Sequence, residues 1–205
     1  MNMGAMAVRH PIETTDEDLL KRTCQGEEVA FQELYQRHLD TIFRFAYRML
    51  GSPEQAEDVA HDCFLSLIRN PRCYDPRRGS LRTYLYTAVR NIVLKRLRKV
   101  ETELVDSYAE NLPANGDTEP LLRLLSKERS NQVRKSIGKM PPLQREAIVL
   151  FEYEELSLAE IAAIAGTDTG TIKSRLHRAR EWLRRELASY MNGDPRIHRE
   201  AANHE

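Results

Sequence analysis

The chain has 205 residues, 30% of them charged and only 7% aromatic, with a formal net charge of zero. That length holds one ordinary domain or two small ones, and so thin an aromatic content suits small helical modules rather than one deep-cored enzyme. No apolar run approaches the ~20 residues of a membrane span and the N-terminus has no apolar signal core, so the expectation is a soluble cytoplasmic protein without membrane insertion.

Residues 1–14 carry scattered Met, Gly and Pro and read as untethered. Thr15 is a candidate N-cap for a short helix with Leu19 and Leu20 inward and Asp16, Glu17 and Asp18 at its positive end. From Glu27, the residues Ala30, Phe31, Leu34, Tyr35, Ile42, Phe45, Ala46 and Met49 recur mainly at helical spacing, which predicts a long amphipathic helix ending near Gly51. Ser52 with Pro53 then opens a helix to Asn70, whose inward stripe is Ala56, Val59, Ala60, Cys63, Phe64 and Leu67. The stretch 70–80 is a loop on its Pro, Gly and Asp content. Ser80 starts a helix over Leu81 to about Lys99, with Leu81, Leu85, Ala88, Ile92 and Leu97 inward. These four helices make a first bundle over residues 15–99.

Charge is segregated along the chain. Arg72 to Lys99 holds nine Lys/Arg and one acid, Asp75; Glu101 to Glu119 holds six acids and no base; Lys173 to Arg185 holds six bases and one acid, Glu181. A polyanion meets local fields rather than net charge, so two basic blocks around an acidic one keep a nucleic-acid partner open. Residues 100–118 show little periodicity and read as a flexible acidic linker. Nineteen residues extend to roughly 60 Å at about 3.3 Å each, so the two halves need not touch.

The second half, 119–191, begins with a helix through Leu121, Leu122 and Leu125 toward Ile137. Pro141-Pro142 breaks the chain and opens a helix from Leu143 to about Tyr153. Ser157 and Glu160 form a capping box on a short helix, Ala162 is small where two helices must cross, and Gly166 suits a left-handed helix end. The next helix turns Ile172, Leu176 and Ala179 inward and presents Thr171, Lys173, Ser174, Arg175, His177, Arg178 and Arg180 on its other face. That pattern predicts a helix-turn-helix whose second helix meets base edges while Lys and Arg hold phosphates. The predicted fold class is all-α: an N-terminal helical bundle and a C-terminal helix-turn-helix bundle on a flexible linker.

On these motifs the chain resembles a known family. LSLAEIAAIAGTDTGTIKSRLHRAREWLRREL resembles the C-terminal promoter-reading domain (region 4) of bacterial sigma factors, and GSPEQAEDVAHDCFLSLIRN followed by RTYLYTAVRNIVLKRLRK resembles their N-terminal domain (region 2). The two-domain size is similar to that of the extracytoplasmic-function group of the sigma-70 family. The resemblance implies that the helix around Glu57, Asp58, His61 and Asp62 docks on the clamp helices of RNA polymerase's largest subunit, with the polymerase flap as a further contact. It implies capture of a flipped base of the promoter's −10 element by the loop Tyr74–Ser80, including Arg77 and Arg78, with Arg82, Arg90 and Asn91 bracing the strand. Thr171, Lys173, Ser174, Arg175, His177 and Arg178 would meet the −35 element. The acidic linker would thread the polymerase cleft as a nucleic-acid mimic, and an anti-sigma factor would hold the protein inactive. Three positions depart from the family's usual residues: His61, where Gln is frequent; Lys95, where Asp is frequent; and His177, in place of an aromatic or aliphatic contact.

Single-strand capture needs stacking surfaces and phosphate partners, and Tyr74, Tyr84 and Tyr86 interleave with Arg77, Arg78, Arg82 and Arg90. Tyr84 reads foremost as a packing residue. A repressor or response regulator with the same helix-turn-helix is the main rival, but its receiver or ligand domain, usually strand-containing, has no counterpart in the first bundle. No enzymatic chemistry is expected: the neighbours His61, Asp62 and Cys63 point in different directions on a helix and cannot form a relay. Cys24, Cys63 and Cys73 show no metal-ligand spacing and read as reduced thiols, and no cofactor or metal is expected.

Overall fold

The computed structural model describes residues 14–104 and 132–191, and every regular element in them is helical. Helix α1 (Asp16–Cys24) is capped by the Thr15 hydroxyl, which accepts from the Asp18 amide. Its Asp16 reaches across to α2 (Glu28–Leu50), where it meets His38 at 2.8 Å and Arg37 at 3.2 Å. Gly51 ends α2 at φ 77°, a left-handed conformation that costs glycine no Cβ clash. Ser52 caps α3 (Pro53–Arg69) with Pro53 in its first turn, as the sequence predicts, and the whole expected stripe from Ala56 to Leu67 is buried.

The expected loop contains two short 3-10 turns, Pro71–Cys73 and Pro76–Arg78. Helix α4 (Leu81–Leu104) follows, its Thr83 amide held by the Ser80 hydroxyl at 3.2 Å. It continues past the expected end at Lys99, so the first residues of the predicted linker are helical. Its buried face also differs from the expected one. Leu81 and Leu85 are buried as predicted, but Tyr86, Val89, Val93 and Leu94 are buried with them, whereas Ala88, Ile92 and Leu97 are only partly covered. The reason is that α4 is packed on two sides, by α2 and α3 and by the second half of the chain.

In the second half, residues 132–138 form α5. The remainder of the helix expected from Glu119, the linker beyond residue 104, and both chain ends lie outside the described residues. Pro142 opens α6 (Pro142–Glu152), and α7 (Leu158–Ala165) and α8 (Thr169–Met191) complete the bundle. The capping box on α7 is complete: the Glu160 amide donates to the Ser157 hydroxyl, and the Ser157 amide donates to the Glu160 carboxylate. The Ser157 hydroxyl, donating at 2.7 Å, and the Ser157 amide together hold the Glu160 carboxyl below the usual carboxylate range.

Although the linker could keep them apart, the two halves are in contact, α4 against α7 and α2 against α6.

Two outcomes follow. Ser157→Ala should lower unfolding stability by about 1 kcal/mol in urea titrations, the usual loss of an N-cap. Because the folded carboxyl titrates below its unfolded value, the Glu160 contribution is present above ordinary carboxylate pKa values and fades as pH falls through the folded one, so the deficit should shrink in acid. Separately, burial pushes the Cys63 thiol up to about 12 while Cys24 and Cys73 are exposed. Mass spectrometry after brief alkylation of the native protein should find Cys24 and Cys73 modified and Cys63 untouched until the chain is unfolded.

Candidate nucleic-acid interface

The helix-turn-helix is built from its caps outward. Gly166 ends α7 at φ 63°, and Asp168 opens α8 by accepting from the Thr171 amide at 2.9 Å and the Thr171 hydroxyl at 2.7 Å. Sequence reading missed this cap, although Asp three residues before a polar helical position is a usable signal. It also accounts for Gly170: a Cβ there would lie 2.9 Å from the capping Asp168 oxygen and push it off the amide. With Ile172, Leu176 and Ala179 buried, Lys173, Ser174, His177 and Arg178 are left exposed on the opposite face. The Ser174 hydroxyl donates to the Gly170 carbonyl. Arg180 belongs partly to the fold, pairing with Glu152 at 2.9 Å and lying 5.5 Å from the Phe151 ring centre. Arg175 turns inward, its guanidinium 3.9 Å from the buried Glu146.

The residues expected to capture a strand divide in the same way. Arg78 and Ser80 are exposed, and Arg77 is exposed while pairing with Asp75 at 3.1 Å. Tyr74 is half-buried, edge-on to Tyr84 with ring centres 5.7 Å apart, and its hydroxyl donates to Glu17 at 3.0 Å. Burial, reinforced by Glu17, pushes the Tyr74 phenol up to about 12. Tyr84 packs against the core in accordance with its reading as a packing residue. Asn91 is exposed and accepts from Arg90 at 3.3 Å.

On α3, Glu57, Asp58, His61 and Asp62 form an exposed face, with Arg96 of α4 reaching Asp58 at 3.6 Å and Asp62 at 3.1 Å. The structure adds Leu65 and Ile68, 42% and 39% exposed one and two turns further along, so the acidic face continues into an apolar one. Their partial exposure is a tertiary property that an apolar residue type cannot announce.

A third group has a role that the sequence did not show. Arg82, Tyr86 and Arg90 follow each other at four-residue spacing on α4 and therefore share one face. That face meets the second bundle. Arg82 donates to the Glu154 carbonyl at 3.2 Å, the Tyr86 hydroxyl donates to the Glu154 carboxylate at 2.8 Å, and Arg90 donates to Glu146. Arg48 of α2 completes the Glu154 site at 2.8 Å. Tyr86, with its ring edge-on to Phe45, is fully buried and offers no stacking surface to a base. In the same interface the buried Arg145 of α6 donates to the carbonyls of Gly138, Met140 and Met49, the last at the C-terminal end of α2. Cations are favoured at a helix C-terminus, where the last carbonyls have no partner within the helix.

Among the described residues, no group of His, Cys, Asp and Glu could hold a metal ion, and no helix is long and apolar enough to cross a membrane. What the fold and surfaces define is a two-bundle, all-helical DNA-binding protein. Residues 34–102 match the family model for sigma-70 region 2, and residues 130–183 match that for sigma-70 region 4. The chain is 34% identical over 179 residues to the extracytoplasmic-function RNA polymerase sigma factor SigW of Bacillus subtilis, covering 82% of this chain and 94% of that protein. It is 30% identical over 169 residues to SigE of Mycolicibacterium smegmatis, covering 81% of this chain and 65% of the relative. The structure of RpoE in complex with the anti-sigma factor NepR from Bartonella quintana aligns with a TM-score of 0.62 at 27% identity, over 77% of this chain and 96% of that one. The chain belongs to the extracytoplasmic-function sigma factors of the sigma-70 family, which direct promoter-specific transcription initiation.

Removing the Tyr86 hydroxyl tests the interface chemistry. Tyr86→Phe keeps the ring against Phe45 but takes a donor from a buried carboxylate, and should destabilise the protein by about 1–3 kcal/mol in denaturant titrations.

Proposed function

We propose that this sigma factor docks on core RNA polymerase through the α3 face of Glu57, Asp58, His61 and Asp62, and reads promoters with two separate surfaces. Lys173, Ser174, His177 and Arg178 enter the major groove of the −35 element, with Thr171 and Arg175 flanking them. Tyr74, Arg77, Arg78, Ser80, Arg82, Arg90 and Asn91 bind the opened −10 strand. The observation that carries this reading is the exposed polar and basic face of α8, held in place by two successive caps and backed by a buried apolar stripe. Such a helix presents base-reading side chains at its leading end and phosphate-binding ones beside them.

In this scheme residues 15–99 and 119–191 are the two working domains and 100–118 is the acidic tether between them. The protein supplies recognition and polymerase supplies the chemistry, so it is not itself an enzyme and works in the cytoplasm. The polymerase flap is a second contact. The relative RpoE is bound by an anti-sigma factor, which supports an inhibitor of the same kind for this chain.

Run-off transcription with purified bacterial core polymerase and a pool of genomic fragments tests the whole reading. Discrete start sites that require the protein are expected; tight duplex binding without polymerase and no new transcripts would instead make it a repressor. On a promoter found in this way, Lys173→Ala should cost about 1–3 kcal/mol of upstream-element binding if it reads a base, whereas equal losses on all sequences would make it a phosphate contact. Asn91→Ala should reduce open-complex yield and leave core binding intact; unchanged opening would remove it from the strand-binding set.

A further inference from the structure

We propose that Glu17 of α1 is a positioning residue for strand capture: it pins Tyr74 and so holds the loop Tyr74–Ser80 in the shape that receives the opened −10 strand. The inference rests on the assignment of that loop made above. Glu17 lies 57 residues from Tyr74 along the chain, in a helix assigned to neither DNA nor polymerase, and its carboxylate accepts the Tyr74 hydroxyl at 3.0 Å. The phenol, pushed up to about 12 by burial and then by Glu17, stays protonated and so remains a donor.

The loop has little of its own to hold it. Residues 70–80 contain two single-turn 3-10 segments, Pro71–Cys73 and Pro76–Arg78, and Tyr74 lies between them with extended backbone. Its ring rests edge-on against Tyr84 of α4 while its hydroxyl is held by α1, so two helices fix the point from which the second turn hangs. At the other end the Ser80 hydroxyl accepts from the Thr83 amide at 3.2 Å, and the Ser80 carbonyl accepts from the Tyr84 amide at 3.1 Å. Between these ends Asp75 closes the turn, accepting from the Arg77 amide at 3.0 Å and from its guanidinium at 3.1 Å. Arg78 and Ser80 are thus exposed on a segment fixed at both ends.

Glu17 is itself held in place. Leu19 and Leu20 bury the inner side of α1, and the neighbouring Asp16 meets His38 at 2.8 Å and Arg37 at 3.2 Å on α2. Arg37 also donates to the Thr14 carbonyl at 2.7 Å, which ties the start of α1 to α2. Helix α1 is in this way a strut from α2 to the loop.

Electrostatics set the sign of the test. A carboxylate beside a strand-binding loop repels phosphate, so its removal would by itself favour DNA. A positioning role predicts the opposite. Capture of an unstacked base already costs free energy. A loop that must also be ordered binds more weakly, in proportion to the fraction of time it holds the competent shape.

The test uses holoenzyme assembled from the full chain and core polymerase, on a promoter found by run-off transcription. Glu17→Ala removes the acceptor, Glu17→Gln keeps an acceptor oxygen without the charge, and Tyr74→Phe removes the donor but keeps the ring. Asp18→Asn, an exposed acid one residue further on, controls for charge and for the acidic first turn. Arg78→Ala, in the loop itself, reports on the strand-binding assignment. Open complex is read by permanganate reactivity of unpaired thymines, with core affinity measured in parallel. Hydrogen exchange of the amides of residues 73–83 is followed in the free chain.

Glu17→Ala should lower open-complex formation by about threefold to tenfold, leave core affinity unchanged and speed exchange in the loop. Glu17→Gln should open the promoter like the wild type, and Glu17→Ala should add nothing in the Tyr74→Phe background, because the pair acts as one unit. Opening by Glu17→Ala equal to or above that of Asp18→Asn would overturn the positioning role. So would unchanged loop exchange, no rescue by Glu17→Gln, or full additivity with Tyr74→Phe. Normal opening by Arg78→Ala would instead remove the strand-binding assignment, and this inference with it, so the two failures are told apart.

Discussion

Two carboxylates withdrawn from water organise how the halves of this molecule meet. A buried Glu is tolerable only where cations and hydrogen-bond donors replace its hydration, and Glu146 and Glu154 find theirs on the first bundle, in Arg90, Arg48 and Tyr86. Each half therefore supplies partners to buried polar groups of the other, with Arg145 returning the arrangement by capping the C-terminal end of α2. The contact is specific because each charged group has a defined partner, and modest because each pair surrenders hydration to form.

This constraint explains why α4 is the central element. One face holds Leu81, Leu85 and Val89 in the first core, and another aligns Arg82, Tyr86 and Arg90 against the second bundle. The same helix begins at the Ser80 cap, beside the Tyr74–Ser80 loop expected to handle a DNA strand. Core and interface are thus separated by rotation around one helix axis, while the interface shares Arg82 and Arg90 with the proposed strand-binding surface. The recognition helix has a similar division: Ile172, Leu176 and Ala179 hold it to its bundle, Arg175 turns toward the interface, and Lys173, Ser174, His177 and Arg178 stay exposed.

The basic residues are not equivalent, although a charge count treats them alike. Arg78 and Lys173 are exposed, Arg77 and Arg180 have local acidic partners, and Arg90 and Arg175 converge on a buried one. Availability to a polyanion is thus graded across the chain by the acids each base meets, and zero net charge conceals that gradation.

Local features were legible in the sequence because they are set by neighbours along the chain. The Thr15, Ser52 and Ser157 caps, the Gly51 and Gly166 helix ends, the α3 stripe and the helix-turn-helix spacing all depend on residues within a few positions, and the structure has them where the sequence predicts. Family membership followed from the same local motifs. The α4 face was only partly legible: Leu81, Leu85, Ala88, Ile92 and Leu97 do pack inward, but periodicity identifies one stripe and says nothing of a second partner. The interface could not be read at all: Arg90 and Glu146 are 56 residues apart, Tyr86 and Glu154 are 68 apart, and Arg145 and Met49 are 96 apart. A charge pattern shows that acids and arginines exist, but pairing is chosen by which surfaces fit. That choice belongs to the tertiary structure, because burial turns an ordinary surface Glu into a site that must find a cation.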